Sequence, residues 1–357
     1  MRGSKYRLNN MTTNKRVLVV GSAEQSAGGV AAVIRTIKKM PVWQEYHCRW
    51  LGTQIQRNYA VKLWYAIKAY LTALCIVWRY DIVHFHTVPD RIGLVIQMPI
   101  LLLALAGQKK VIVHLHTGNQ LSRNTDNQLF RWWLRRADLI IFLAEQWQKL
   151  FKDLYADVKT PTTVLYNPCE EMPVVSQSEK EKLIIMAAYF TDNKAPDLLL
   201  RAWRHIKDRH PDWRIAMLGN GEVERYRRMA TDMGLEDSVT FTGYVTGAEK
   251  ESYFRCASIL CMCSYEEGFP MAVLEAWMYG ICVVTTPVGG LPDVLENGKN
   301  AFVFDFGNWQ QLSDHLERLI GDAPLRKQMV GYARLFVTKN FSPQQFNTQL
   351  TDIYEQI

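Results

Sequence analysis

Tyr265-Glu266-Glu267-Gly268-Phe269-Pro270-Met271-Ala272-Val273-Leu274-Glu275-Ala276 is the stretch on which the reading of this chain turns. The apolar run Ser258 to Cys263 precedes it, and helix-forming residues follow, with Pro270 in the opening turn. The segment therefore reads as strand, acidic glycine loop and helix. Glu267 falls on the loop at the carboxyl end of the strand, and Glu275 about two turns into the helix. On one continuous helix their spacing would leave them about 80° apart, so the loop is what lets them converge on one crevice. Two acceptor-only carboxylates beside a helix N-terminus suit a ligand that carries vicinal hydroxyls next to phosphate.

Working outward, the same rhythm repeats. Leu183 to Ala188, Arg214 to Leu218, Val239 to Gly243, Ile281 to Thr285 and Ala301 to Phe304 read as further strands, each separated from the next by a helical or turn segment. Upstream, Arg16 to Gly21, Asp81 to Thr87, Val111 to Leu115, Asp138 to Leu143 and Thr162 to Leu165 do likewise. Tyr166-Asn167-Pro168-Cys169 breaks the pattern, and Glu170 to Glu181 is a charged, proline-punctuated linker. Alternating strands and helices imply parallel sheets covered on both faces. The fold class is α/β, with two facing Rossmann-like parallel-sheet domains and a cleft between them. Residues 11–170 form the first domain and residues 171–340 the second. Ser342-Pro343-Gln344-Gln345 is a capping box that opens a last helix in residues 341–357, with Phe346, Leu350, Ile353 and Tyr354 on one apolar face.

Ligands of open parallel sheets bind outside the strand carboxyl ends, so facing halves enclose a site. The first strand opens into Ser22-Ala23-Glu24-Gln25-Ser26-Ala27-Gly28-Gly29-Val30, where glycines let backbone N–H groups approach an oxyanion or simply make a turn. The spacing is not Gly-x-Gly-x-x-Gly, and no dinucleotide is implied. Asp81-Ile-Val-His-Phe-His-Thr87 and Val111-Ile-Val-His-Leu-His-Thr-Gly118 each carry His-x-His, with both histidines on one side of the strand. Four histidines could gather around a metal, but neither motif contains a carboxylate, and packing is the simpler reading.

The chain has 357 residues, 48% hydrophobic and 22% charged, which is ordinary globular material for two domains. Its seven cysteines are odd in number and lack zinc-ligand spacing, which fits reduced thiols in the cytoplasm. No secretory signal opens the sequence; residues 1–14 read as a disordered polar start, with Met11 as the natural first residue. Ile92 to Ala106 is apolar but interrupted by Gln97 and Pro99, which suits a buried helix. Val61 to Tyr80 is a helix rich in Trp and Tyr, read first as core and alternatively as shallow docking on a membrane. The formal charge of +7 is scattered without aromatic interleaving, so nucleic acid is not expected. Anionic small ligands or an anionic lipid surface are.

The run from Glu267 to Glu275, with Thr286-Pro287-Val288-Gly289-Gly290-Leu291-Pro292-Asp293 downstream, resembles the retaining glycosyltransferases of the GT-B fold, in the group 1, family 4-like set marked by a Glu, seven residues and a Glu. The resemblance implies a nucleoside diphosphate sugar as donor and a saccharide or lipid-linked saccharide as acceptor, in cell-surface polysaccharide synthesis. It implies Glu267, His116 and Lys194 as catalytic residues, and Gly28, Gly29, Lys194, Gly268, Phe269, Pro270, Met271 and Glu275 as donor-binding residues. No metal and no cofactor are expected. The place of work would be cytoplasmic, at the inner face of the membrane, with peripheral membrane contact. The family also carries an arginine in the loop after the first strand of the second domain. Here that position falls on Ala188 or Tyr189, and Ala195 replaces the glycine that follows the lysine. The departure keeps open a non-catalytic nucleotide-sugar-binding subunit; an epimerase on the same fold, or a metal hydrolase built on the His-x-His strands, are weaker alternatives.

Overall fold

The computed structural model describes residues 15–26, 29–55, 59–88, 91–116, 118–172, 175–176 and 179–357. The expected polar start, Gly28 and part of the expected linker lie outside the described residues. Six strands make the first sheet: β1 (Val17–Ser22), β2 (Arg49–Gln54), β3 (Ile82–Thr87), β4 (Lys110–Leu115), β5 (Leu139–Phe142) and β6 (Thr162–Val164), in the order β2-β1-β3-β4-β5-β6. Six make the second: β7 (Leu183–Ala187), β8 (Arg214–Leu218), β9 (Val239–Gly243), β10 (Ile259–Met262), β11 (Cys282–Thr285) and β12 (Phe302–Val303), in the order β12-β11-β10-β7-β8-β9. Every strand pairing is parallel.

Parallel strands are joined by crossovers that cover both faces, so their residues must be apolar on both sides. In β1, Leu18 and Val20 join one buried cluster with Phe85 and Val113, while Val17 and Val19 join another with Ile112 and Ile141. The second sheet repeats this, with Ile184 and Met186 on one face and Ile185 on the other. The last helix, Pro343–Gln356, is capped by the Ser342 hydroxyl, which accepts from Gln345 N at 3.3 Å. Its Phe346, Leu350 and Tyr354 bury against Val17 and Val19 of the first sheet.

Two apolar helices depart from the sequence reading. Of the Tyr59–Ile76 helix, expected first as core, Ala69, Ala73 and Ile76 are the only buried side chains among the described residues. Leu63, Trp64, Ile67 and Leu71 are each at least half exposed. Two of these three are alanines, which cluster with Leu51 of β2, while large side chains earlier in the helix point outward. The Arg91–Ala106 helix is buried along Leu94, Ile100, Leu101 and Ala104, but Ile92, Val95 and Leu102 are exposed. Overall apolarity reveals neither face, because a buried helix and a lipid-facing one share it.

Candidate active site

In the second sheet β8 lies on one side of β7 and β10 on the other, so the loops after β7 and β10 part and open a crevice at the topological switch point. Asn193 ties these loops together. Its Nδ2 donates to Glu266 O at 3.0 Å, its Oδ1 accepts from Glu266 N at 3.0 Å, and its carbonyl accepts from Tyr265 N at 2.7 Å. This seam brings Lys194 Nζ onto Glu267 Oε1, which also accepts from Ser264 Oγ at 2.7 Å. Glu267 Oε2 has no hydrogen-bond partner among the described residues. The two side chains are only 22% and 16% exposed, so their attraction is less screened than that of a surface pair. Ala195, standing where the resemblance has glycine, adopts the left-handed conformation at φ 44° that glycine favours.

The helix after Glu267 runs from Met271 to Met278, with Pro270 as its N-cap rather than in its first turn. Glu275 therefore sits little more than one turn in, not two. Its Oε2 accepts from Lys250 Nζ at 2.6 Å. Phe269 is buried, with its ring 5.6 Å from Tyr166 and 5.8 Å from Phe341. The Gly289-Gly290 turn explains itself by contact. Gly290 N donates to Gly268 O at 2.8 Å, and a Cβ on Gly289, at φ 67°, would stand 2.7 Å from Gly268 O and 2.8 Å from Glu267 O. Glycine is what lets this turn brace the Glu267 loop from behind.

The first half reaches the same loop. Trp147 Nε1 donates to Gly268 O at 3.1 Å, and Gly118 packs so tightly on that indole that a Cβ would overlap it at 1.7 Å. Arg123 Nη2 donates to both oxygens of Glu266, at 2.9 and 3.1 Å. Asp293 Oδ2 accepts from Glu145 N at 2.5 Å and so caps the Glu145–Leu154 helix across the cleft. The Gly118-Trp147-Gly268 chain links the loop after β4 to the Glu267 loop.

His116 lies at the end of β4 and is almost fully buried. Its Nε2 meets His86 Nδ1 at 2.8 Å. His84, His86, His114 and His116 form one column of rings with neighbouring centroids 4.3 to 5.6 Å apart. His84 Nδ1 meets Tyr354 Oη at 2.8 Å. Burial pushes His84 and His116 down to about 3, and holds His86 and His114 well below the usual imidazole range. Ligand atoms of His84, His86 and His114 lie within 4.8 Å of one another, and no carboxylate joins them. Gly29 opens the Gly29–Lys38 helix in open space, where a Cβ would meet nothing within 4 Å, so no close approach there requires glycine.

Lys194 and Glu267 are thus brought into direct contact, Gly268 and Phe269 stand beside them, and Glu275 is engaged separately. Arg123, Trp147, Asn193 and Lys250 escape the sequence reading. Each acts through a partner far along the chain, and only Gly118, beside the second His-x-His, carries a local signal.

Residues 17–171 match the family described as Glycosyltransferase Family 4, and residues 170–336 match Glycosyl transferases group 1. An uncharacterized glycosyltransferase of Haemophilus influenzae is 28% identical over 226 residues, which is 61% of this chain and 61% of that protein. The D-inositol 3-phosphate glycosyltransferase of Corynebacterium jeikeium is 33% identical over 172 residues, 46% of this chain and 41% of that one. The chain spans less than two thirds of the length of either relative. The crystal structure of Anabaena Alr3699/HepE with UDP-glucose shares the fold, at a TM-score of 0.74 and 19% identity over 96% of this chain and 100% of that one. With a glycosyltransferase family matched on each sheet and the same pair of sheets in the solved structure, the chain belongs to the group 1 glycosyltransferases of the GT-B fold.

Proposed function

We propose that the protein is a retaining glycosyltransferase that moves a sugar from a nucleoside diphosphate sugar to a saccharide or lipid-linked saccharide, in the synthesis of a cell-surface polysaccharide. The observation that carries the reading is the contact of Lys194 with Glu267 at the β7–β10 switch point, beside the N-terminus of the Met271–Met278 helix. When the sugar leaves, negative charge develops on the departing diphosphate. A fixed ammonium and free helix N–H groups stabilise that charge without reorganising at the moment of reaction. Glu267 Oε2 is free to accept from a sugar hydroxyl. Glu275 keeps lone pairs for the ribose hydroxyls beyond its bond to Lys250. His116 is neutral at pH 7 because of its burial, so it orients the sugar by hydrogen bonding rather than by charge. With Nε2 taken by His86, Nδ1 is the nitrogen left for that contact. The acceptor hydroxyl then attacks on the face that the diphosphate leaves.

A place at the inner membrane face is supported by the Tyr59–Ile76 helix. Between residues 59 and 80 there is no acidic residue, while Lys62, Lys68 and Arg79 stand among outward-facing Leu63, Trp64, Ile67, Leu71 and Trp78. Such a face buries apolar side chains at an interface while its cations meet anionic lipid.

Release of nucleoside diphosphate from a panel of nucleoside diphosphate sugars, with metal chelated, tests the reading. Turnover with at least one sugar is expected, and Glu275→Gln should weaken binding of that nucleotide about tenfold, since an amide is a poorer partner for two hydroxyls. Ala188 and Tyr189, where the family has arginine, favour the second reading of a non-catalytic binding subunit. Nucleotide binding without any release would decide for that reading.

A further inference from the structure

Glu266 and Glu267 are consecutive, and each holds one cation from a different half of the chain. Glu267 is met by Lys194 of the loop after β7, and Glu266 by Arg123, the last residue of the Asn119–Arg123 helix that follows β4. Among the described residues no other cation forms an ion pair with residues 265–270. One short acidic loop thus gathers an ammonium and a guanidinium beside the N-terminus of the Met271–Met278 helix. Meanwhile Ala188 and Tyr189 leave the loop after β7 without a guanidinium of its own.

Arg123 has the chemistry to fill that gap. Its Nη2 donates to both oxygens of Glu266, at 2.9 and 3.1 Å, while Nη1 and Nε have no hydrogen-bond partner among the described residues. The guanidinium fork is therefore only half used. The Arg123 side chain is 58% exposed and that of Glu266 30%, and an ion pair so open to water contributes little. Giving it up for a bound diphosphate costs correspondingly little. A guanidinium offers two parallel N–H groups to phosphate oxygens, and a diphosphate carries more charge than the carboxylate it would displace. The distance is short as well: neighbouring Cα atoms are about 3.8 Å apart. An anion that meets Lys194 at Glu267 therefore stands beside the residue that Arg123 already reaches.

Resting on the reading of this chain as a glycosyltransferase that takes a nucleoside diphosphate sugar, we propose that Arg123 supplies the guanidinium that the loop after β7 lacks, leaving Glu266 to donate to the donor's diphosphate together with Lys194. Charge that develops on the departing diphosphate is then shared by two cations, one from each half of the chain. Glu266 is the resting partner that keeps Arg123 at the cleft until the donor arrives.

Calorimetry on the full chain with UDP, GDP, ADP, CDP and dTDP, each beside its monophosphate, identifies the nucleotide that binds and weighs its second phosphate. Arg123→Ala should lower affinity for that diphosphate at least tenfold and for the monophosphate less than threefold. Arg123→Lys, which keeps the charge and loses the fork, should fall between. Unchanged diphosphate affinity overturns the proposal, as does an equal loss for both nucleotides, which marks a residue that only shapes the cleft. Glu266→Gln separates the two roles again. If Arg123 acts on the diphosphate, freeing it from a carboxylate should leave diphosphate affinity equal or higher. If it only braces the two halves through Glu266, this variant loses as much as Arg123→Ala, and the proposal falls. Release of nucleoside diphosphate from the matching sugar should drop at least tenfold in Arg123→Ala. Arginine-dependent diphosphate binding without any release would remove the enzymatic reading and leave the site, whereas release at an unchanged rate in Arg123→Ala would remove the site and leave the reading. No binding of any of the five diphosphates would remove both.

Discussion

At the scale of single residues the weight falls on Lys194. It is the one base in the loop after β7, with Ala188 and Tyr189 upstream, and its ammonium rests on Glu267. Lys194→Ala is expected to lower turnover at least tenfold, because a charge-assisted contact to the departing diphosphate is worth at least the roughly 1.4 kcal/mol that a tenfold change in rate represents. Glu267 keeps Ser264 as a partner, so the loop should hold and binding of the bare nucleotide should fall less than kcat. Steady-state rates beside nucleotide calorimetry check this, and a near-wild-type rate would mean that the phosphates are held elsewhere. Lys194 and Glu267 are legible in the sequence because each sits in a short loop between a strand and a helix that announce themselves. Lys250 and Arg123 are not, since their partners lie 25 and 143 residues away and only the folded sheets bring them together.

At the scale of elements, turns and helix faces separate what local pattern can say from what it cannot. The Gly289-Gly290 turn is visible as a glycine pair after an apolar strand, but its purpose, bracing the Glu267 loop, appears only in three dimensions. Gly289→Ala would force a side chain into the left-handed region and drive its Cβ against Gly268 O and Glu267 O. The expected loss of stability is about 1 to 3 kcal/mol, with a fall in turnover larger than the fall in nucleotide affinity, because the displaced group is Glu267 rather than the Glu275 helix. Chemical denaturation and steady-state kinetics read the two effects. Equal stability and unchanged kcat would show that the brace is dispensable. The Tyr59–Ile76 helix is the opposite case. Its apolar residues are plain in the sequence, yet which of them face protein depends on the depth at which Ala69 and Ala73 seat the helix, and no periodicity encodes that depth. The start of the Met271–Met278 helix shifts for a smaller reason: Pro270, compatible with the first turn, takes the extended cap position instead, at ψ 109°.

For the whole molecule, the alternation of strands and helices shows two parallel sheets, but not that their strand orders differ. Order is set by where each crossover lands, which the handedness rule narrows without fixing. Nor does it reveal that the four histidines of β3 and β4 stack into a single buried column tied to the last helix through His84 and Tyr354. That column makes the fold sensitive to acid. Burial lowers His84 and His116 to about 3 from an ordinary 6.5 and lowers His86 and His114 as well. The folded state therefore binds fewer protons than the unfolded chain between those values, and stability rises with pH across that window. It is complete above about 6.5 and is lost as pH falls towards 3, at roughly 1.4 kcal/mol per pH unit for His84 and for His116. His86 and His114, lowered by the same burial, act in the same direction, against a domain stability of only about 5 to 15 kcal/mol. Cooperative unfolding is accordingly expected on acidification within that window. His114 is the position to probe, because neither of its ring nitrogens has a hydrogen-bond partner among the described residues. His114→Leu removes one titrating group, and no hydrogen bond among the described residues is lost with it. It should move the acid midpoint downward, followed by far-ultraviolet circular dichroism across the pH range, with stability at neutral pH equal or higher. An unchanged midpoint would show that the histidine column does not govern acid unfolding.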